Sequence, residues 1–137
     1  MGTRSTIAIK NQDRTIEAIY CHWDGYPSHN GKILLNHYQD EAKVRELIGL
    51  GGLSSLAENI GTKHDWANAP KNECNAYTRD RGEDWEHNKP EVCRSAKELM
   101  DFANGCGAEY VYVYHCDKGW WTCDDKRLTL MEDCQPD

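Results

Sequence analysis

The sequence lacks several features that would assign it to a common class of protein. It contains no apolar run near the length of about 20 residues that a helix needs to cross a bilayer, so an integral membrane protein is not predicted. Lys and Arg are outnumbered by Asp and Glu, 16 to 23, and the formal net charge is −7. Binding to nucleic acid relies on cationic side chains that neutralise phosphates, so this function is not favoured.

Phenylalanine is nearly absent, and Phe102 is the single example. Five Trp and seven Tyr supply much of the bulky apolar volume instead. Their indole N–H and phenol O–H groups need hydrogen-bond partners when they are buried. The interior is therefore expected to contain more hydrogen bonds than a core of Leu and Ile would.

The seven cysteines include no C-x-x-C pair. Their odd number, with no secretory signal ahead of them, predicts free thiols in a reducing cytoplasm. Zinc sites usually show closely spaced pairs of His or Cys ligands, which this sequence lacks, so no metal or other cofactor is predicted. A metal site assembled from distant loops stays open as an alternative.

Strand patterns occupy both ends of the chain. Residues 4–10 and 15–22 alternate and are separated by a turn-rich segment, which predicts an N-terminal hairpin. The second of these strands carries apolar residues on both faces, which indicates a position inside the sheet. Three further strands are predicted towards the C-terminus, at residues 109–116, 120–124 and 128–131.

Helical spacing and capping residues predict three helices, over residues 31–38, 41–50 and 96–104. The segment 61–91 lacks periodicity, and residues 74–79 within it are predicted to form a short strand. The order of elements predicts a single α+β domain, residues 1–137. Its mostly antiparallel sheet would combine the N-terminal hairpin with a C-terminal hairpin or meander, and about three helices would pack on one face.

The densest cluster of functional residue types lies at residues 20–27, YCHWDGYP, where the second strand ends. His22 and Asp24 contribute titratable groups, and Trp23 and Tyr26 contribute large rings with one polar atom each. His22, Asp24 and His37 are a candidate acid–base group, because an Asp that orients a His is the core of many acid–base sites. The alternative is that Asp24 forms an Asx turn and His22 is satisfied within the sheet. No nucleophile lies beside a base in a known pattern, so no catalytic residue is assigned and an enzyme is not favoured.

A second candidate lies at residues 79–85, RDRGEDW. Arg79 and Arg81, with Glu83 beside them, predict a guanidinium pair that binds a phosphate or carboxylate. If this segment meets residues 20–27, the two form a pocket for a nucleotide-like small molecule. The alternative is that these alternating charges pair with one another on the surface.

Tyrosines alternate along one side of the strand predicted at residues 109–116: Tyr110, Tyr112 and Tyr114. Such a ladder can stack nucleic-acid bases, but the acidic charge of the chain opposes that role. A ladder packed under helices or at a protein interface is the simpler interpretation.

Several blocks of the chain resemble a family of small proteins encoded by bacteriophages and prophages. These blocks are TRSTI at 3–7, YCHWDGYP at 20–27 followed by Gly31, Leu34, His37 and Tyr38, LSSL at 53–56, YTRDRGE at 77–83 and EYVY at 109–112. The resemblance covers most of the chain. It implies a phage accessory protein in the host cytoplasm, and the family has no assigned biochemical activity.

Small acidic phage proteins often bind host enzymes or defence systems. The expected function is therefore a non-enzymatic protein that binds a host protein, as an inhibitor of a host or anti-phage defence factor. A binder of a nucleotide-like small molecule and a metal-assisted or acid–base hydrolase are the alternatives. The residues expected to contact the partner or ligand are His22, Trp23, Asp24, Tyr26, His37, Arg79, Arg81 and Glu83.

Overall fold

The computed structural model describes residues 2–116, 118–124 and 127–130, in which eight strands form one mixed sheet. The strands are β1 (Ser5–Lys10), β2 (Ile16–Cys21), β3 (Leu53–Ser55), β4 (Asn75–Ala76), β5 (Glu91–Cys93), β6 (Tyr110–His115), β7 (Gly119–Asp124) and β8 (Arg127–Leu130). Met131, which ends the last predicted strand, lies outside the described residues.

The order of the strands in the sheet is β4-β3-β2-β1-β6-β7-β8, and β5 also pairs with β2. β1 and β2 form the predicted antiparallel hairpin, whereas β1 and β6 run parallel and join the two ends of the chain. β6, β7 and β8 form an antiparallel C-terminal meander. The α+β class and the mostly antiparallel sheet are confirmed, and β2 lies inside the sheet as its two apolar faces predicted.

Five α-helices occur in the described part of the chain: α1 (Lys32–His37), α2 (Glu41–Ile48), α3 (Tyr77–Arg81), α4 (Trp85–Asn88) and α5 (Ala96–Gly105). A π-helical turn, Pro27–Gly31, precedes α1. The three predicted helices correspond to α1, α2 and α5, with ends that differ by one or two residues. α5 begins at a capping Ser95, whose hydroxyl accepts the N–H of Glu98 at 3.2 Å.

The strand predicted over residues 74–79 is wrong for its second half. Only Asn75–Ala76 pairs, with β3, and α3 begins at Tyr77. The Asp80 carboxylate accepts a hydrogen bond from the N–H of Ala76 at 2.8 Å. This contact from a side chain to the preceding backbone favours a helical turn over a continued strand.

Apolar side chains are buried on both faces of the sheet. Ile7 and Ile9 of β1 pack in a cluster with α1 and α2, whereas Ala8 between them packs in a second cluster with α5. The prediction that helices cover one face is therefore wrong. The physical reason is that β1 is apolar at consecutive positions, so each of its faces must be covered.

The buried aromatic residues direct their polar atoms to backbone carbonyls. Tyr112 Oη donates to the carbonyl of Gly25 at 2.6 Å, and Tyr38 Oη donates to that of Ala57 at 2.7 Å. Trp120 Nε1 donates to the carbonyl of Tyr38 at 2.8 Å. Burial raises the pKa of Tyr38 and of Tyr112 above the usual value, so both hydroxyls remain donors. The expectation of a hydrogen-bonded interior is confirmed, and Tyr112 lies in the core rather than on a stacking surface.

None of the helices within the described residues is both long enough and apolar enough to span a bilayer.

Candidate functional site

The chain leaves β2 into residues 22–31, which we call the aromatic turn. Trp23 and Tyr26 are its exposed rings, with relative exposures of 44% and 37%. Asp24 between them adopts a left-handed conformation, φ 56°. A side chain at Gly25 would place its Cβ 2.7 Å from that of Ser5, so glycine is needed where the turn approaches β1.

The backbone of the aromatic turn is held from the interior of the protein. Asn30, which is fully buried, donates from Nδ2 to the carbonyl of Trp23 and from its backbone N–H to that of Asp24, both at 3.2 Å. Tyr112 Oη holds the next carbonyl, that of Gly25. Three successive carbonyls are thus fixed by buried donors, so the turn presents its exposed rings from a rigid backbone.

Cys21 lies directly beneath the turn and does not provide a nucleophile. Burial is the largest influence on this thiol and raises the pKa of Cys21 to about 12. Asn30 Nδ2 lies 3.4 Å from its sulfur. Because the thiolate is the reactive form of cysteine, a neutral buried thiol acts here as a packing group.

His22 is engaged with neighbouring aromatic rings. Its Nδ1 forms a hydrogen bond with the hydroxyl of Tyr20 at 2.5 Å, and its ring contacts Trp23 edge to face with the ring centroids 4.7 Å apart. This arrangement fixes one face of the exposed indole. It also agrees with the interpretation of His22 as a hydrogen-bonded structural residue, although His22 lies one residue beyond β2, where its backbone N–H donates to the carbonyl of Leu53 at 3.0 Å.

The acid–base group predicted from His22, Asp24 and His37 has a different partner at each member. Asp24 Oδ1 accepts a hydrogen bond from Tyr26 Oη at 3.3 Å. His37 Nε2 lies 3.6 Å from a carboxylate oxygen of Glu58 at the surface. Among these contacts none joins Asp24 to His22 or to His37, so the three residues do not form the predicted acid–base group.

His37 nevertheless borders the aromatic turn. It lines a shallow groove of about 310 Å³ together with His29, whose ring centroid lies 6.0 Å from that of Tyr26. Five of the predicted site residues therefore belong to the turn or to its edge: His22, Trp23, Asp24, Tyr26 and His37.

Arg79 is enclosed by acceptors from the protein itself. Its Nε and Nη2 donate to the two oxygens of Asp80 at 2.9 and 3.0 Å, and Nη2 also donates to the carbonyl of Cys74 at 2.8 Å. Its Nη1 donates to the carbonyls of Ile60 and Gly61 at 2.9 and 3.3 Å. A guanidinium has five N–H donors, and these contacts occupy all of them. Arg79 therefore braces the loops around α3 and has no donor left for a phosphate.

Arg81 and Glu83 lie on a separate surface. Arg81 Nε pairs with Glu83 at 3.2 Å, and its guanidinium lies 5.1 Å from the ring centroid of Trp66. Trp66 in turn stacks on Tyr77 at 5.5 Å. This is the surface pairing that the sequence left open as the alternative to a phosphate site.

The two candidate segments are separated by β3. Cys21 at the end of β2 pairs with Leu53 of β3, and Leu53 pairs with Ala76, which precedes α3. None of the residues that contact the side chains of Arg79 and Arg81 belongs to the aromatic turn. The structure therefore shows no contact that joins the aromatic turn to residues 79–83 in a shared pocket.

Sequence reasoning missed the buried polar cluster around Asp80. The Asp80 side chain has no exposed surface and accepts hydrogen bonds from Arg79 and from the N–H groups of Ala76 and His64. Burial is the largest single influence and opposes ionisation, but these donors together outweigh it and hold the pKa of Asp80 below its usual value. His64 lies 16 residues from Asp80 in the sequence, so no local sequence pattern predicts this cluster.

Within residues 2–116, 118–124 and 127–130, no three His, Cys, Asp or Glu side chains lie close enough together to hold a metal ion. That part of the chain therefore contains no set of ligands for the alternative prediction, a metal site assembled from distant loops.

Comparisons of the chain with protein-family models, with curated proteins and with solved structures give no match. The resemblance to small phage-encoded proteins therefore stays a prediction from the sequence blocks that carry it.

Proposed function

We propose that this protein is a non-enzymatic binding protein of the host cytoplasm that attaches to a host protein through the aromatic turn. Its action there is the inhibition of a host or anti-phage defence factor. One observation carries the proposal: two large rings, Trp23 and Tyr26, are exposed on a backbone that buried donors hold in place.

Exposed aromatic rings on a fixed backbone suit a binding surface. Trp and Tyr are enriched among the residues that dominate binding energy at protein interfaces. Association usually loses free energy when a loop must become ordered, and a turn that is already held avoids this loss. Trp23 is further fixed by its edge-to-face contact with His22, so a partner would meet a preformed surface.

Two features support a host protein as the partner. The resemblance to phage accessory proteins supports action in a host cell, where such proteins often bind host enzymes or defence systems. The net charge of −7 favours encounter with a partner that carries a basic surface.

The test is comparative affinity capture from a lysate of the natural host, followed by quantitative mass spectrometry. The baits are the wild-type protein, the double variant Trp23→Ala/Tyr26→Ala and the control Val92→Ser. Val92 is an exposed apolar residue on β5, with 58% of its surface accessible, so it controls for unspecific apolar adsorption. Circular dichroism before capture establishes that all three baits are folded.

We expect at least one host protein to be retained by the wild type and by Val92→Ser. The double variant should retain it at least about tenfold less, because loss of one hot-spot ring usually costs about 2 kcal/mol. The purified partner should then lose activity when the wild type is added and keep it with the double variant. Equal recovery on all three baits, or no recovery above background, would overturn the proposal.

A further inference from the structure

A second groove in the described part of the chain lies away from the aromatic turn. It has a volume of about 940 Å³ and runs between α5 and the ends of β1, β2 and β6. Its floor is apolar and consists of Ile16, Leu99, Met100 and Val113. Pockets that hold small molecules usually measure about 300–1,000 Å³ and combine apolar walls with a few polar groups.

Cationic side chains surround this floor: Lys10, Arg14 and Arg94. Within the described residues, none of these three side chains forms an ion pair or a hydrogen bond, although the backbone N–H of Arg94 donates to the carboxylate of Glu98 at 2.9 Å. Arg45, by contrast, pairs with Glu41 at 2.9 Å. Three cations therefore face one groove of a chain whose net charge is −7.

Other charges at the groove leave this excess in place. Lys97 and Asp101 line it as well, and they pair with each other at 3.1 Å, so their charges largely cancel. His115 also lines the groove and adds no negative charge. A concave site with one sign of charge concentrates ligands of the opposite sign.

We propose that this groove binds an organic phosphate of nucleotide size. The guanidinium groups of Arg14 and Arg94 can each donate two parallel hydrogen bonds to the oxygens of a phosphate. Lys10 adds a further positive charge. The apolar floor accepts the flat base of the nucleotide. The groove thus combines the two parts that such a ligand requires.

This site is separate from the proposed protein-binding surface. Arg14 lies in the turn that joins β1 to β2, whereas the aromatic turn follows the opposite end of β2. A strand of six residues spans about 20 Å, so the two sites lie at opposite ends of the hairpin. Either one can be disabled without touching the other.

The test is isothermal titration calorimetry at low ionic strength with the wild type, Arg14→Gln/Arg94→Gln and the control Arg81→Gln. Arg14 has a positive φ of 74°, a conformation that glycine would adopt more easily than arginine does. Gln is therefore chosen, because it removes the charge and changes the backbone preference less than glycine would. The probes are AMP, ADP, ATP, GTP, a cyclic dinucleotide, inorganic phosphate and a polyglutamate peptide. Trp23→Ala/Tyr26→Ala serves as a second control. It is expected to lose the host partner but to keep nucleotide binding, so the two proposals can fail independently of each other.

We expect at least one nucleotide to bind the wild type, Arg81→Gln and Trp23→Ala/Tyr26→Ala with similar affinity. The Arg14→Gln/Arg94→Gln variant should bind it at least about tenfold more weakly, because two charge-assisted hydrogen-bonding groups are lost. Inorganic phosphate should bind more weakly than the nucleotide, since it cannot use the floor.

Four results would overturn the assignment. The first is that no nucleotide binds the wild type at millimolar concentration. The second is that the double arginine variant binds the nucleotide as well as the wild type does. The third is that inorganic phosphate binds as tightly as any nucleotide. The fourth is that the polyglutamate peptide binds through Arg14 and Arg94 while the nucleotides do not, which would make the groove a site for acidic protein segments.

Discussion

The side chain of Asp80 shows how strongly one buried charge can organise its surroundings. It receives the guanidinium of Arg79 and two backbone N–H groups, and it has no contact with solvent. Arg79 in turn links three backbone carbonyls to this carboxylate. A paired charge in such a setting is costly to break, because the remaining charge stays buried without its partner.

We therefore expect Asp80→Asn to lower the free energy of unfolding by about 3 kcal/mol at neutral pH. The control Glu83→Gln should change it by less than about 1 kcal/mol, because the Arg81–Glu83 pair is exposed and solvent-screened. Urea denaturation followed by circular dichroism measures both. A loss for Asp80→Asn no larger than that for Glu83→Gln would contradict this role.

The difference between wild type and Asp80→Asn should also depend on pH. The pKa of Asp80 is lower in the folded protein than in the unfolded chain, so the unfolded chain binds the proton more readily. The stabilisation is complete above the unfolded pKa of about 3.9 and is lost as the pH falls through the lower folded pKa. Denaturation midpoints of the two proteins should stay apart by a constant amount from about pH 7 to pH 5 and converge in stronger acid.

At the scale of elements, strands and helices with regular periodicity were predictable and the connections between them were not. β1, β2, β6, α2 and α5 follow from alternation, helical spacing and caps, which act over a few residues. The segment around α3 was mispredicted because Asp80 redirects the chain after Ala76. The aromatic turn was recognised as a dense cluster, but its brace, Asn30, carries no pattern in the sequence.

The rigidity of the aromatic turn rests on Asn30, and we expect Asn30→Ala to destabilise the fold by about 2 kcal/mol. The reason is that the carbonyl of Trp23 loses its buried donor. The control Asn36→Ala lies on the exposed side of α1 and should shift the unfolding midpoint very little. Urea denaturation compares the two, and equal midpoints for both variants would show that the turn does not need this clamp.

At the scale of the whole molecule, two apolar clusters share the central strands. β1 contributes Ile7 and Ile9 to the cluster with α1 and α2, and it contributes Ala8 to the cluster with α5. β1 also joins the two ends of the chain through its parallel pairing with β6. If the helices on one face of the sheet unfold, the shared strands lose packing contacts that the helices on the other face also depend on.

The two helical layers should therefore unfold together. We expect peptides from α2 and from α5 to show the same free energy of opening in native-state hydrogen exchange measured by mass spectrometry. The mostly exposed segment at residues 67–72 should exchange rapidly and serves as an internal reference. Exchange of α5 at a clearly lower concentration of denaturant than α2 would show that the second cluster opens independently.

The sequence by itself determined the class of fold, the N-terminal hairpin, the interior position of β2 and the need for a hydrogen-bonded aromatic core. These depend on periodicity and on the chemistry of single side chains. Only the tertiary structure decided that helices cover both faces, that all the donors of Arg79 bind groups of the protein itself and that Lys10, Arg14 and Arg94 line one groove. Such outcomes depend on contacts between distant residues, such as Tyr112 and Gly25, 87 positions apart, and no local pattern encodes which pairs will meet.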